Sequence, residues 1–461
     1  MDILGKSIIQ LQDLISSKKI SSAEVYSYFM ARAKKHNNDL NAFLTLVDEQ
    51  TIKHDGDMAG IPLAVKDNFC TEGVRTTASA KLLEDFVPQY ESTVTQRLYD
   101  NGATILGKTN LDAWAHGSST ETSDFGPSKN PWDITRAPGG SSGGTGAAVS
   151  AYLTPAGIGS ETAGSIRLPA AWCGLVGLKP TYGRVSRFGV IAMGSSFDCP
   201  GPMTLTVEDS AYLLQLIAGH DPYDATSSTE AVPDYLKQMK EKKKFTIGLP
   251  KEYMEGLDAD IEKRVRDALK VLESMGHTIK EVSLLPPKYS ISVYTILQRA
   301  EVSSNLARFD GIRYGKDRTH FGSEAKRRIM LGAYTLSHGH YDAFYTKAQK
   351  VKTLIIEDMQ RVFQDVDLLI APSTPVTALT LGEFHKFAFF GETMDALDEA
   401  AAVAGTPAIN IPFGFDSQGL PVGIQIMGNY FEEGKILDLA YQFEQETKFD
   451  GVIEKGVKNY E

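Results

Sequence analysis

Apolar positions along this chain follow two different periods. Over residues 21–36 they recur every three or four places, putting Val25, Tyr28 and Phe29 on one face, and Ser21 with Glu24 makes a capping-box pattern. An amphipathic helix is therefore predicted over 21–36, with a strand to follow over 41–47. A helical run over 92–100 stops at Gly102, and 103–106 reads as a short buried strand. Further helices are predicted over 206–218 and 258–275, the second closed by Gly276, and short apolar strands over 245–249, 366–371, 408–413 and 422–427. Residue 189 and the stretch 195–202 read as loop. Such alternation of helices with short buried strands argues for an α/β layered fold. No internal repeat or low-complexity tail interrupts it.

Two clusters of glycine and hydroxyl residues stand apart from this pattern, in GGSSGGTGAAVSAYLTPAGIGSETAGSIR over 139–167. Glycine admits close approach of a ligand to the backbone, so both clusters read as loops built around something small. The first presents Ser141 and Ser142, the second Ser165. A serine hydroxyl needs a neighbour to take its proton, and no histidine lies in this stretch. Upstream, the run IPLAVK ends in Lys66. Desolvation at the end of an apolar strand lowers a lysine's pKa and lets the neutral amine act as a base, which gives a Ser/Lys chemistry. Taken singly, GGSSGG is a flexible loop and Lys66 a snorkelling surface residue. Their conjunction in this order favours the chemical reading.

Three ordered motifs, GIPLAVKDNF, GGSSGG and SETAGSIRLPAAWCGLVGLKPTYGRVS, resemble the amidase signature family over nearly the whole chain. The resemblance implies an α/β fold with a central mixed sheet covered by helices on both faces. It further implies one domain over 1–461, with a catalytic core at about 55–205 and a C-terminal half, 245–461, that completes the sheet and the substrate pocket. It assigns Lys66 as base, Ser141 as a bridging serine in a cis peptide, Ser165 as nucleophile, and the N–H groups around Thr162, Ala163 and Gly164 as the oxyanion hole. The family usually carries DTGGS before the nucleophile where this chain has ETAGS. Glu161 thus adds a methylene, and Ala163 would be strained by about 1 kcal/mol at a positive φ.

The segments RAEVSSNLARFDGIRYG (299–315) and EAKRRIMLGAY (324–334) resemble one branch of that family, the glutaminase subunits of tRNA-dependent amidotransferases. That likeness implies glutamine as substrate, with Tyr294, Arg328 and Asp395 binding it. An arginine fork suits a carboxylate and an aspartate suits an ammonium. On its own, Arg328 reads as one of a basic surface pair. The branch implies GatB-type and GatC-type partner subunits, with ATP, magnesium and the misacylated tRNA, Glu-tRNA(Gln) or in some members Asp-tRNA(Asn), handled by the partner. No metal or cofactor is expected on this chain. Two rivals remain, a free-standing amidase for a small carboxamide and a catalytically idle scaffold.

Composition narrows the field without choosing within it. The 461 residues are 42% hydrophobic and 23% charged, ordinary for a globular protein, and a net charge of −11 argues against a general polyanion-binding surface. The run KEKKK near 240–244 reads as a solvated face. Three cysteines, Cys70, Cys173 and Cys199, suit a reducing compartment, with Cys173 packed in the core. No membrane span or secretory leader is evident, so a cytoplasmic or mature organellar protein is expected.

Two tempting signals carry less. GATILGKT over 102–109 fits the phosphate-loop pattern letter for letter, but a phosphate loop joins a strand to a helix, and here a helix precedes and a strand follows. The segment 111–133 is rich in turn formers and could line a pocket mouth. Its His116 is either a structural residue or an alternative base.

Overall fold

The computed structural model of the chain describes residues 3–47, 56, 58, 60–386 and 393–460. The other positions within the domain bounds named above, among them 55, 391 and 392, lie outside the described residues. Among the described residues, a sheet of eleven strands carries the fold: β1 Phe43–Leu46, β2 Pro62–Lys66, β3 Thr104–Thr109, β4 Ala156–Glu161, β5 Val176–Lys179, β6 Cys199–Thr204, β7 Thr246–Pro250, β8 Thr278–Val282, β9 Leu368–Pro372, β10 Ala408–Phe415 and β11 Pro421–Met427. Their order is β1-β3-β2-β4-β6-β5-β10-β11-β9-β7-β8. The sheet is mixed. β3, β2 and β4 run parallel, as do β8, β7 and β9, while the strands between them pair antiparallel. Helices flank it, as expected of apolar strands that are buried on both faces.

The predicted elements form with small shifts of boundary. The first amphipathic helix spans Ser22–Leu40, and both halves of the Ser21/Glu24 capping box are made. Val25 and Phe29 are buried with Tyr26 and Met30, while Tyr28 is half-buried. The helix Ala259–Ser274 is capped by Asp258, whose side chain accepts from Asp260 N–H. Residues 199–202, read as loop, are instead the first part of β6, which pairs with β4 from Cys199 to Thr204. Two prolines and a glycine in that stretch, CPGPMT, masked the strand.

The phosphate-loop pattern proves coincidental. Gly102, at a φ of 85°, ends the helix Thr93–Asp100, and Gly107 and Lys108 lie inside β3. Lys108 is fully buried, donates to Thr76 Oγ1 at 2.8 Å and lies 3.7 Å from Asp67 Oδ1. Its amine is therefore committed to the core. The 240–244 run is exposed, as read.

Parallel neighbours end together. The C-terminal residues of β2, β3 and β4 are Lys66, Thr109 and Glu161, so the loops after them gather at one edge of the sheet. In open α/β sheets, ligands bind outside the carboxyl ends of strands.

Candidate active site

Lys66 is the last residue of β2 and is fully buried. Its Nζ donates to Ser141 Oγ at 2.7 Å, to Ser160 O at 2.9 Å and to Ser160 Oγ at 3.0 Å. Three partners answer the three protons of an ammonium, yet burial favours the neutral amine. Desolvation lowers the pKa to about 7, against the pull of the Asp112, Asp198 and Glu161 carboxylates. A lysine at that pKa passes a proton readily at neutral pH.

Ser141 follows a cis Gly140–Ser141 peptide, as the resemblance implies. The loop that holds it has no room for a larger residue. A Cβ on Gly140 would lie 2.1 Å from Asp112 Oδ2 and 2.5 Å from Ser119 N. Asp112 in turn accepts from Thr120 N–H at 2.8 Å and from Thr122 Oγ1 at 2.9 Å, so one buried carboxylate shapes both the 117–122 loop and the serine loop.

The second serine loop is stitched to the first. Ser142 N–H donates to Ser165 O at 3.2 Å, and Ser142 Oγ donates to Ser160 O, also at 3.2 Å. Between β4 and Ser165, the backbone N–H groups of Thr162, Ala163 and Gly164 have no acceptor among the described residues. A row of unanswered backbone donors next to a serine suits an oxyanion. Thr162 Oγ1 donates to Asp198 Oδ1 at 2.8 Å, and Asp198 also accepts from Met193 N–H at 2.9 Å. Burial raises the Asp198 pKa to about 6.

The ETAGS loop is not strained. Ala163 is absent from the residues at positive φ, and its methyl packs in an apolar cluster with Trp114, Met193, Phe197 and Tyr294. Glu161 uses its length: Oε2 accepts from the N–H groups of Ile166 at 3.1 Å and Arg167 at 3.2 Å, while Oε1 accepts from Arg167 Nε at 3.0 Å. Buried Arg167 also reaches Ala163 O at 2.9 Å, Gln425 Oε1 at 2.7 Å and Asp398 Oδ1 at 3.0 Å. The loop is thus clamped from below by a paired guanidinium.

Tyr294, Arg328 and Asp395 are all buried. Tyr294, on the helix Pro287–Asn305, stands edge to face with Phe197 at 5.9 Å. Asp395 presses on the loop that carries Ser165, since a Cβ on Gly164 would lie 2.6 Å from Asp395 Cβ. Arg328, on the helix Ser323–Thr335, is only 2% exposed, which corrects its reading as a surface charge; the half-buried member of the pair is Arg327. Arg328 Nε donates to Glu324 Oε1 at 2.6 Å. The arginine lines a cavity of about 360 Å³ with His116, Ser118, Ser119 and Glu324. The 111–133 segment therefore does line a pocket, and its Ser119 wall backs directly onto Gly140.

Several contributors were not foreseen. Ser160 takes two of the lysine's protons, and Asn68 Nδ2 donates to Ser160 Oγ at 2.9 Å. Asp112, Asp198 and Arg167 support the loops. Asn68 stands two places after Lys66 and Ser160 at the end of a parallel neighbour, so strand pairing was the missing signal. Among the described residues, no group of His, Cys, Asp and Glu could hold a metal ion. Cys70, Cys173 and Cys199 are free and buried. No helix among the described residues is long and apolar enough to cross a membrane.

Fold and site together define an α/β protein with a serine–lysine centre suited to acyl transfer. A model of the amidase family matches residues 24–437, and the chain belongs to the amidase signature family. It is 48% identical to the A subunit of the glutamyl-tRNA(Gln) amidotransferase of Halothermothrix orenii, over 96% of this chain and 98% of that protein. The crystal structure of the corresponding A subunit from Thermotoga maritima, also a glutamyl-tRNA(Gln) amidotransferase, superposes with a TM-score of 0.86 at 38% identity, covering 96% of this chain and 95% of that one. A 6-aminohexanoate cyclic dimer hydrolase, solved with its substrate, gives a TM-score of 0.87 at 26% identity, covering 96% and 97%.

Proposed function

We propose that this chain is the glutamine-hydrolysing subunit of a tRNA-dependent amidotransferase. The observation that carries the reading is the joint placement of two things the sequence keeps far apart: the buried Lys66–Ser141 pair, and the buried Arg328 in a cavity whose Ser119 wall packs on Gly140. The close likeness to amidotransferase A subunits over almost their whole length supports it.

In this reading neutral Lys66 draws a proton through Ser141 while Ser165 Oγ attacks the side-chain carbonyl carbon of glutamine. The N–H groups of Thr162, Ala163 and Gly164 hold the oxyanion of the tetrahedral intermediate. Losing one such donor typically costs about 10² to 10³ in rate. The C–N bond breaks, the proton returns along the same serine to the leaving nitrogen, and ammonia departs. Water then hydrolyses the glutamyl ester, releasing glutamate and restoring the serine. Arg328 and Asp395 hold the α-carboxylate and the α-ammonium, with Tyr294 beside them. The ammonia serves a GatB-type subunit, which uses ATP and magnesium to activate a misacylated tRNA, with a GatC-type subunit holding the pair. A cytoplasmic or organellar setting follows from that role.

The test is ammonia release from glutamine by the chain with and without its partners, alongside Ser165→Ala. Release that the partners stimulate and the variant lacks supports the reading. Release from simple amides but not from glutamine would make the chain a free-standing amidase, and no release in any setting a scaffold.

A further inference from the structure

The mechanism above makes no use of His116, yet its surroundings do not suit a structural histidine. The residue follows the short turn Ala113–Ala115 and is fully buried. A buried imidazole is ordinarily held by hydrogen bonds at its nitrogens, one donating and one accepting. Here neither Nδ1 nor Nε2 has a partner among the described residues. The backbone, by contrast, is tied down, since Thr122 Oγ1 donates to His116 O at 3.2 Å. The fold thus holds this ring in place without answering its polar atoms.

His116 lines the same cavity as Arg328, with Arg327, Glu324, Ser118 and Ser119. Burial, followed by the nearby charges of Arg328, Arg299 and Arg327, keeps the imidazole neutral. A neutral imidazole still has one N–H to give. Beside several guanidinium groups, the ligand that suits both them and that N–H is an anion with more than one acceptor oxygen. A further cation would add repulsion there, whereas a neutral donor adds a directed hydrogen bond.

We propose that His116 is a specificity-determining residue of this cavity, its ring N–H joining Arg328 in holding the α-carboxylate of the bound amino acid. The inference rests on the glutaminase reading and deepens it. It also explains why a fully buried ring is left without partners: the partner is the substrate. A space-filling histidine would behave differently, because replacing it would disturb the packing and so act on stability and on both substrates alike, whether or not they carry an α-carboxylate.

The experiment compares His116→Leu and His116→Gln with the unaltered protein, each in complex with its partner subunits. The readouts are KM and kcat for glutamine and for a neutral carboxamide lacking an α-carboxylate, and the melting temperature without ligand. His116→Leu is expected to raise the glutamine KM about tenfold, the scale of one hydrogen bond to a charged group, with a smaller change in kcat. The KM for the neutral amide stays within about twofold, and the melting temperature holds or rises. His116→Gln, which keeps an N–H donor, recovers most of the glutamine KM. An unchanged glutamine KM in His116→Leu, in an enzyme that hydrolyses glutamine, overturns the inference and leaves the glutaminase reading standing. Equal rises for both substrates with a fallen melting temperature also overturn it, assigning the ring to packing. If the unaltered complex does not hydrolyse glutamine, both readings fall together.

Discussion

Lys66 Nζ lies 2.7 Å from Ser141 Oγ, at the end of a strand with no solvent access. Both facts bear on the same proton. Burial makes the charged amine costly and brings its pKa to about 7, and the short contact gives the neutral form a hydroxyl from which to draw.

A pH profile follows with a definite sign. Below the pKa Lys66 is an ammonium and has no lone pair to accept a proton; above it the amine is free to act. The kcat/KM for glutamine is therefore expected to rise with pH, with unit slope, to an inflection near 7 and then level off until other groups titrate. A rate that falls through that window, or one that climbs only near the ordinary lysine value of about 10.4, would remove Lys66 as the base.

The charge on Arg328 gives a second prediction. It is 2% exposed and lines the cavity against Ser118 and Ser119. Replacing it with alanine is expected to raise the KM for glutamine by about 10²-fold, the loss of a charge-assisted pair, and to affect a neutral amide far less. Equal effects on both substrates would mean that the arginine supports the fold instead. Binding and turnover measured separately for the two amides decide it.

How far the site was legible depended on how local its parts are. Lys66, Ser141 and Ser165 could be singled out because each sits in a short motif of its own, and the structure brings Lys66 and Ser141 into contact. Ser160 was not, because its part follows from β4 lying parallel beside β2, a pairing across 94 residues. The phosphate-loop pattern could be set aside from sequence, since the order of helix and strand was wrong for it. The burial of Lys108 against Asp67 could not be foreseen, because nothing local marks where a strand interior needs a charge. Arg328 read on its own as half of a surface pair, while the resemblance assigned it to the substrate; the packing of its helix shows which arginine of the pair faces inward. Residues 199–202 show the converse, where composition argued for a loop and the ladder to β4 made a strand.

The alanine in the loop proposed to hold the oxyanion is a third case. Ala163 is not at positive φ, and its methyl is buried in the cluster that includes Tyr294 and Trp114. Restoring a glycine there relieves no strain, loosens the backbone and removes a packed methyl. Ala163→Gly is expected to lower stability by about 1–2 kcal/mol and not to raise kcat. Urea unfolding and steady-state rates on one preparation test both halves. A faster enzyme would show that the methyl does hold the loop away from its working shape.

The strongest structural demand beneath the site falls on Glu161. Its carboxylate is fully buried, takes two backbone N–H groups of the turn that carries Ser165 forward, and pairs with Arg167, which itself holds Ala163 O. Removing the carboxylate strips two donors of their acceptor and leaves the guanidinium with Asp398 as its remaining carboxylate contact at 3.0 Å. Breaking a buried pair in this way costs about 3–5 kcal/mol, because the surviving charge cannot be rehydrated. Glu161→Ala is therefore expected to lower the unfolding free energy by that amount. At a temperature where the variant is still folded, its kcat should fall more than its glutamine affinity, since the clamp shapes the loop proposed to hold the oxyanion while Arg328 lies on a different helix. Denaturant unfolding with single-turnover kinetics separates the two effects. A variant as stable as the parent would show that Asp398 alone suffices to hold Arg167 and that the loop keeps its shape without the glutamate.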